Sequence, residues 1–241
     1  MKIIDKIKAK SADLFGQPTV SIAFLGDSVT QGCFEVFCPQ DHVIDTVFES
    51  HNAYHAKLHR ILSNLYSNVP FHFINAGISG GTAGNGAARL ERDVLRYSPD
   101  LCVVCFGLND SCNLSDQALD DYGAALTEIF TRLQQAGVEA ILMTPNMMCT
   151  KVFPDFEKPI LTQVAQSVQQ VQTSGRLAAF VDCAKNVARS HNVPICDCYA
   201  KWEQLAAAGV DTDRLLSNHI NHPTREMHEL FANALMETML Q

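Results

Sequence analysis

The sequence has no long apolar run and little positive charge. No segment approaches the roughly 18 to 20 continuous apolar residues that span a bilayer, so we expect no stable association with a membrane. The chain of 241 residues has 18 basic and 26 acidic side chains and a formal net charge of −8. Binding of nucleic acid needs a basic surface that displaces counterions, so we expect no nucleic-acid partner. The apolar fraction of 47% supports a large core and excludes general disorder.

The cysteines and the start of the chain bear on the cellular compartment. No apolar block follows the basic start, so a secretory leader is not expected, and the apolar spacing of residues 3–14 instead predicts a short amphipathic helix. The nine cysteines have no spacing typical of a disulfide framework, so we expect reduced thiols and a cytoplasmic location. Cys102 and Cys105 lie in a predicted strand and face opposite sides of it, which favours buried packing over metal binding.

Short apolar runs alternate with amphipathic helical patterns along the chain. The predicted strands are TVSIAFLG, FHFINAG, DLCVVCFG, VEAILMTPN and VPICDCY. This alternation is typical of an α/β fold with a central, mostly parallel sheet covered on both faces. Neither a repeat nor a linker interrupts it, so we predict one domain over residues 1–241. Reactive groups in such sheets lie beyond the carboxyl ends of the strands.

The loop after the second predicted strand, NAGISGGTAGNG, contains five glycines in twelve residues. Glycine permits positive φ and close approach of the backbone, so N–H groups of this loop can face an anion. The alternative is a simple flexible turn. A nucleotide-binding Walker loop is excluded because no lysine occurs between Lys57 and Lys151, and the glycine spacing does not fit the dinucleotide pattern.

Three further polar stretches lie where a site is expected. GDSVTQG follows the first strand and places Ser28 on a tight turn, although Asp27 or Ser28 can equally serve there as a helix N-cap. GLND follows the third strand and places Asn109 at the same edge, although these residues are also typical of plain turns. NHINHP precedes the last predicted helix and places His222 there, and histidine is the side chain whose pKa suits a base at neutral pH.

Taken together, these four stretches resemble the sequence blocks of the SGNH (GDSL-type) hydrolases, from about Ile22 to the last helix. The resemblance implies a three-layer, flavodoxin-like sandwich and an esterase or acylhydrolase activity on a small-molecule ester. It implies that Ser28 is the nucleophile and His222 the base. The backbone N–H groups of Ser28 and Gly80 and the Asn109 amide would form the oxyanion hole. No metal or organic cofactor is required.

The chain departs from the family at one position. The family has an aspartate three residues before the base, whereas this chain has His219, which brings no negative charge. We therefore predict a Ser–His dyad or an atypical triad in which His219 or a nearby backbone carbonyl orients His222. Asp211, Asp213 or Glu226 would be the alternatives.

Other polar residues are given supporting or structural roles. Asp27 and Asp110 are expected to stabilise their turns. The pair His219 and His222 offers too few ligands for a closed zinc site. A second histidine set recurs every four residues and is interpreted as one partly solvated helix face rather than a metal patch: His51, His55 and His59.

Two segments predicted to be irregular, residues 33–53 and 146–159, follow strands and carry aromatic side chains with few charges. They are expected to wall an acyl pocket, which favours short, acetyl-like esters, esters of carbohydrates among them. The alternatives are a lysophospholipase or thioesterase of the same fold, and a catalytically silent binding protein, which the missing aspartate supports. A flavodoxin-like nucleotide binder follows from the fold alone.

Overall fold

A parallel five-stranded sheet runs through the computed structural model, which describes residues 1–241. The strands are β1 (Val20–Gly26), β2 (Cys33–Gln40), β3 (Val43–Phe48), β4 (Phe71–Gly77), β5 (Leu101–Cys105), β6 (Glu139–Met143) and β7 (Ile195–Cys196). The sheet has the order β4-β1-β5-β6-β7, and every neighbouring pair in it is parallel. This is the flavodoxin-like order, in which the chain reverses direction across the sheet next to β1.

Ten α-helices cover the sheet and complete the three predicted layers. They are α1 (Lys2–Ala12), α2 (Ser28–Gln31), α3 (Tyr54–Leu65), α4 (Ala83–Asp93), α5 (Leu108–Ser111), α6 (Ala118–Gln135), α7 (Pro159–Thr173), α8 (Arg176–Ser190), α9 (Cys198–Ala207) and α10 (Met227–Leu240). Short 3₁₀ turns occupy Ser50–Asn52, Leu95–Tyr97 and Thr212–Leu215. None of the helices combines the length and the apolar character needed to cross a membrane.

The core consists of one apolar cluster on each face of the sheet. Successive residues of a strand point to opposite faces, so Phe24 joins the cluster formed with α1, α3, α7, α9 and α10, and Leu25 joins the cluster formed with α4, α6 and α8. Cys102 and Cys105 belong to different clusters and are buried, as predicted. The α/β class with a covered parallel sheet is therefore confirmed.

The prediction of an irregular segment at residues 33–53 was wrong. β2 and β3 form a separate antiparallel hairpin there. Its strands are joined through His42, whose φ of 67° is left-handed. Hairpin turns with positive φ are usually marked by glycine or asparagine, and the absence of that signal hid the hairpin. Residues 146–159 contain no regular element until α7 begins, as predicted.

The three spaced histidines do not share a helix face. His51 lies in the 3₁₀ turn before α3, and the extended backbone of Ala53 separates it from that helix. His55 is buried with its Nε2 3.1 Å from the Thr30 carbonyl oxygen. The ring of His59 packs edge-on against Phe73, 4.9 Å between centroids. The prediction of a common face was wrong because the helix starts later than the spacing suggests.

Close packing brings the carboxyl ends of β1 and β4 together. A Cβ atom at Gly77 would lie 2.2 Å from the backbone nitrogen of Gln31, so only glycine lets β4 pass this close to α2. From α4, the buried Arg89 guanidinium donates to the carbonyl oxygens of Gly26 at 2.8 Å and Ala76 at 2.6 Å. It also pairs with Asp93 at 3.1 Å. One cation thus fixes two strand ends.

Replacing Arg89 with methionine should lower the free energy of unfolding by about 3 kcal/mol, because two strand-end carbonyls lose a charged donor. Urea unfolding followed by circular dichroism measures the change. The matched control is Arg92→Met, which removes a largely exposed pair with the same Asp93 and should cost less than about 1 kcal/mol. Equal losses in the two variants would contradict this account of Arg89.

Candidate active site

Ser28 is the first residue of the four-residue helix α2, directly beyond β1. Asp27 is the N-cap of that helix, and its Oδ1 accepts a hydrogen bond from the Val29 N–H at 3.0 Å. The left-handed Gly32 ends the helix with a φ of 96°. The strand, the cap and the early stop hold the buried Ser28 side chain at the carboxyl edge of the sheet.

The NHINHP stretch folds around the side chain of Asn218. The Asn218 Oδ1 accepts hydrogen bonds from three backbone N–H groups, those of Ile220 at 3.0 Å, Asn221 at 2.9 Å and His222 at 2.9 Å. This tight loop places the His222 Nε2 3.0 Å from the Ser28 Oγ. Residues 194 positions apart are thereby brought into hydrogen-bond contact.

The second ring nitrogen of His222 faces the backbone. Its Nδ1 lies 2.8 Å from the carbonyl oxygen of Phe34, the second residue of β2. Because a carbonyl can only accept, this contact places the ring proton on Nδ1 and leaves Nε2 free to accept from the Ser28 hydroxyl. Burial lowers the pKa of His222, which the Phe34 hydrogen bond and the charge of Glu35 partly offset. The neutral ring therefore prevails at neutral pH.

Of the two partners predicted for His222, His219 or a nearby backbone carbonyl, the structure places only the carbonyl beside the ring. His219 has a left-handed backbone with a φ of 54° at the corner of the Asn218 turn. Its ring stacks on Phe153, with centroids 4.1 Å apart and planes 9° from parallel. This turn carries the His219 side chain onto Phe153 instead of His222. The backbone carbonyl of Phe34, the other kind of partner considered, makes the contact with Nδ1.

The alternative carboxylates are engaged elsewhere. Asp213 accepts from the Thr150 N–H and hydroxyl, each at 2.6 Å. Asp211 takes part in surface ion pairs. The pKa of Glu226 is lowered by its own backbone N–H and by the Thr224 hydroxyl. The hydrogen bonds of His222 therefore include none to a carboxylate.

Three residues that line the same cleft carry hydrogen-bond donors without an acceptor in the protein: Ser28, Gly80 and Asn109. The backbone N–H groups of Ser28 and Gly80 donate to no other group of the protein. Gly80 has a φ of 74° with open space around a would-be Cβ, so its conformation, not crowding, requires glycine. The Asn109 amide donates one N–H to the Gly81 carbonyl at 3.0 Å and keeps a second. Ser28, Gly80, Asn109 and His222 line one cleft.

Two buried carboxyl groups lie behind this edge. Asp110 accepts from the Ala83 N–H at 2.8 Å and the Gly107 N–H at 3.1 Å, which joins the loop after β5 to the start of α4. Burial raises the pKa of Asp110 to about 6. Burial likewise raises the pKa of Asp27 to about 7, and its Oδ2 has no hydrogen-bond partner. Both side chains hold turns of the site through backbone N–H groups.

The cleft in front of Ser28 has a volume of about 400 Å³. Its apolar walls come from the β2–β3 hairpin, from α7 and from the loop of His222, with these side chains: Val36, Ile44, Phe48, Leu161, Val164 and Ile220. Polar side chains between these walls include Asp45, Thr46 and Asn221. The segment 33–53 does wall the cleft, as predicted, but residues 146–159 do not. Their place is taken by α7, whose amphipathic pattern directly follows that segment.

Two structural partners of His222, Phe34 and Asn218, have no specific signal in the sequence. Phe34 contributes a backbone carbonyl, which every residue possesses, so its side chain carries no signal. Asn218 acts through loop hydrogen bonds, a role for which asparagine in a turn is a general but unspecific sign. No three His, Cys, Asp or Glu side chains are grouped so that they could hold a metal ion.

A family model and a known esterase match parts of this sequence. The model of the GDSL-like lipase/acylhydrolase family matches residues 24–230. An acetylxylan esterase from Geobacillus stearothermophilus is 29% identical over an alignment of 132 residues, and the alignment covers 52% of this chain and only 58% of that protein. This alignment therefore spans little more than half of the relative.

Solved structures share the fold. An alpha/beta hydrolase enzyme from the metagenome of Lake Arreo, Spain, is 22% identical and superimposes with a TM-score of 0.67. A lipase/acylhydrolase from Enterococcus faecalis is 21% identical with a TM-score of 0.65. Each comparison covers 91% of this chain and 94% of the other. At these identities the similarity shows the common fold alone.

The raised pKa of Asp27 makes stability depend on pH. The folded-state pKa of about 7 exceeds the ordinary value of 3.8, so the stability that this group contributes is full below about pH 4 and is lost as the pH rises through 7. Asp27→Asn should remove this loss. From pH 4 to pH 7, the unfolding free energy of the wild type should therefore fall relative to that of the variant.

Chemical unfolding at several pH values measures that difference. Asp5→Asn, at an exposed position of α1, is the control and should give a difference that hardly changes over the same range. A constant difference for Asp27→Asn would show that its carboxyl group is not shifted by burial.

Proposed function

The chain belongs to the GDSL-like lipase/acylhydrolase family, and we propose that it is a serine esterase acting on short, acetyl-like esters. One observation carries the proposal. The Ser28 Oγ lies 3.0 Å from the Nε2 of His222, whose Nδ1 is held by the Phe34 carbonyl at 2.8 Å. A hydroxyl next to a neutral imidazole of fixed tautomer is the arrangement that activates a serine nucleophile.

In the proposed reaction, the Ser28 Oγ attacks the ester carbonyl carbon while its proton passes to the His222 Nε2. The carbonyl π electrons move to oxygen and form a tetrahedral oxyanion. When the oxyanion collapses, the alcohol leaves with the proton from Nε2, and Ser28 keeps the acyl group. Water, deprotonated by the same nitrogen, then releases the acid and restores the hydroxyl.

The oxyanion would be bound by the N–H groups of Ser28 and Gly80 and by the free amide hydrogen of Asn109. Support comes from the two backbone N–H groups, which have no acceptor within the protein. Donors fixed before the reaction stabilise developing charge without reorganisation. The Gly81 carbonyl holds the Asn109 amide in place, so its remaining hydrogen has a defined direction.

The base would act without a carboxylate partner, as a dyad. The Phe34 carbonyl fixes the tautomer and the ring plane but offers a dipole instead of a full charge to the imidazolium. The pKa of His222 is lowered by burial, so the ring stays a competent base at slightly acidic pH. We expect the acid limb of kcat/KM below the ordinary histidine value of 6.5.

The cleft supports a small acyl group and a hydroxylated alcohol. The lining combines polar and apolar side chains, and Asp45, Thr46 and Asn221 can bond to hydroxyl groups. The relative from Geobacillus stearothermophilus is an acetylxylan esterase. Acetylated carbohydrates are therefore the substrate class that we propose for this chain.

Purified wild type should hydrolyse p-nitrophenyl acetate, and Ser28 should react with a fluorophosphonate probe. Ser28→Ala and His222→Ala should each lower kcat/KM by at least about a thousandfold, since either loss removes nucleophilic activation. His219→Ala, three residues from the base, should change it less than about twofold because His219 contacts Phe153. Esters of increasing acyl length should be hydrolysed progressively more slowly.

A folded wild type that neither turns over esters nor labels at Ser28 would point to a silent binding protein. A rise in rate toward long acyl chains would instead favour a lysophospholipase or thioesterase. Loss of activity in His219→Ala comparable to that in His222→Ala would restore His219 as the partner of the base.

A further inference from the structure

Arg225 lies three residues after His222 and joins this loop to the β2–β3 hairpin. Its Nη1 and Nη2 donate to the two carboxylate oxygens of Glu35 at 2.6 and 3.0 Å. Its Nε and Nη2 donate to those of Glu49, both at 2.7 Å. The guanidinium carbon also lies 4.5 Å from the centre of the Phe34 ring. One side chain thus makes two bidentate ion pairs and covers the residue whose carbonyl faces the base.

The two carboxylates belong to opposite strands of the hairpin. Glu35 follows Phe34 within β2, and Glu49 directly follows β3, where its N–H donates to the Gly32 carbonyl at 2.8 Å. The hairpin is separate from the main sheet, and a lone two-stranded ribbon is marginally stable. Its position relative to His222 therefore depends on such side-chain links. We name Glu35, Arg225 and Glu49 together the Arg225 clamp.

The clamp is partly exposed to solvent. Its side chains are 31% exposed for Arg225, 43% for Glu35 and 26% for Glu49, and single ion pairs at such exposure contribute little to folding. Bidentate geometry and a shared cation do restrict orientation strongly. These bonds therefore restrict the orientation of the backbone at Phe34 and Glu35.

We propose that the Arg225 clamp positions the base in place of the carboxylate that this family carries three residues before it. It holds the Phe34 carbonyl against the Nδ1–H of His222, and it keeps the Glu35 carboxylate near the imidazolium that forms during the reaction. Arg225 and Glu49 are positioning residues, and Glu35 adds a negative charge at a distance. The inference rests on the proposed esterase function.

The charges around His222 support the separate part assigned to Glu35. The negative charge of Glu35 raises the pKa of His222, and hydrogen bonds from Arg225 lower the pKa of Glu35, so it stays ionised. From α10, the buried His228 is neutral because burial lowers its pKa to about 3. Asp45 of β3 lines the same cleft, but its charge does not contribute to the pKa shift of His222.

Arg225→Met should lower kcat for p-nitrophenyl acetate by about tenfold to a hundredfold, the effect of misplacing a reacting group by about 1 Å. KM should change much less. The matched control is Arg60→Met, which removes an exposed ion pair with Glu229 and leaves the hydrogen bonds of Glu35 and Glu49 in place, so it should retain wild-type kcat. Arg225→Lys should recover only part of the loss, since an ammonium group cannot bind two carboxylates bidentately.

Two isosteric variants separate orientation from charge. Glu49→Gln should lower kcat and leave the acid limb of the kcat/KM profile in place. Glu35→Gln should lower kcat and also move the acid limb to lower pH, because the charge that raises the pKa of His222 is lost. If the clamp only stabilised the fold, the two variants would show the same acid limb. Proton NMR of the Nδ1–H of His222 gives a direct readout of its hydrogen bond.

A folded Arg225→Met variant whose kcat stays within about twofold of wild type would overturn the proposal. If that variant does not fold, Glu49→Gln carries the test, and an unchanged kcat there overturns it equally. Identical acid limbs for Glu35→Gln and Glu49→Gln would refute the part assigned to Glu35. These failures require an active wild type that labels at Ser28, whereas an inactive wild type would refute the proposed function itself.

Discussion

The hydrogen bond between the Nδ1–H of His222 and the Phe34 carbonyl is the contact on which the site depends. It is 2.8 Å long and joins the loop before α10 to the β2–β3 hairpin, two parts of the chain that share no sheet. It selects the tautomer whose Nε2 can accept from Ser28. The hairpin therefore walls the cleft and also supplies a backbone carbonyl. That carbonyl contacts the ring nitrogen that a carboxylate would otherwise contact.

The sheet beneath the site provides rigidity through close packing. Gly77 lets β4 approach α2, and Arg89 bonds the carbonyls at the ends of β1 and β4. These contacts fix the edge from which Ser28 and Gly80 project. The geometry of the site is thus built on regular strands, while His222 is held by a loop and a hairpin that rely on side-chain hydrogen bonds.

Burial determines the charge state of this edge. It raises the pKa of Asp27 and Asp110 and lowers that of His222 and His228. Each shift favours the neutral form, because a low-dielectric interior disfavours charge. The ionised groups lie at the rim, chiefly in the Arg225 clamp. Charge that develops on a substrate would therefore lie next to fixed dipoles, with the carboxylates of the clamp farther away.

The α/β class, the five strands, and the positions of Ser28 and Gly80 after their strands follow from the amino-acid sequence, because apolar periodicity and glycine-bearing turns are local signals. The missing aspartate at His219 is also visible in the sequence. The contacts of His222, by contrast, follow only from the folded chain. A backbone carbonyl has no side-chain signature, and the hairpin that presents it lacks the usual glycine turn. The ion pairs of Arg225 join positions up to 190 residues apart, so their partners follow from chain packing and not from spacing.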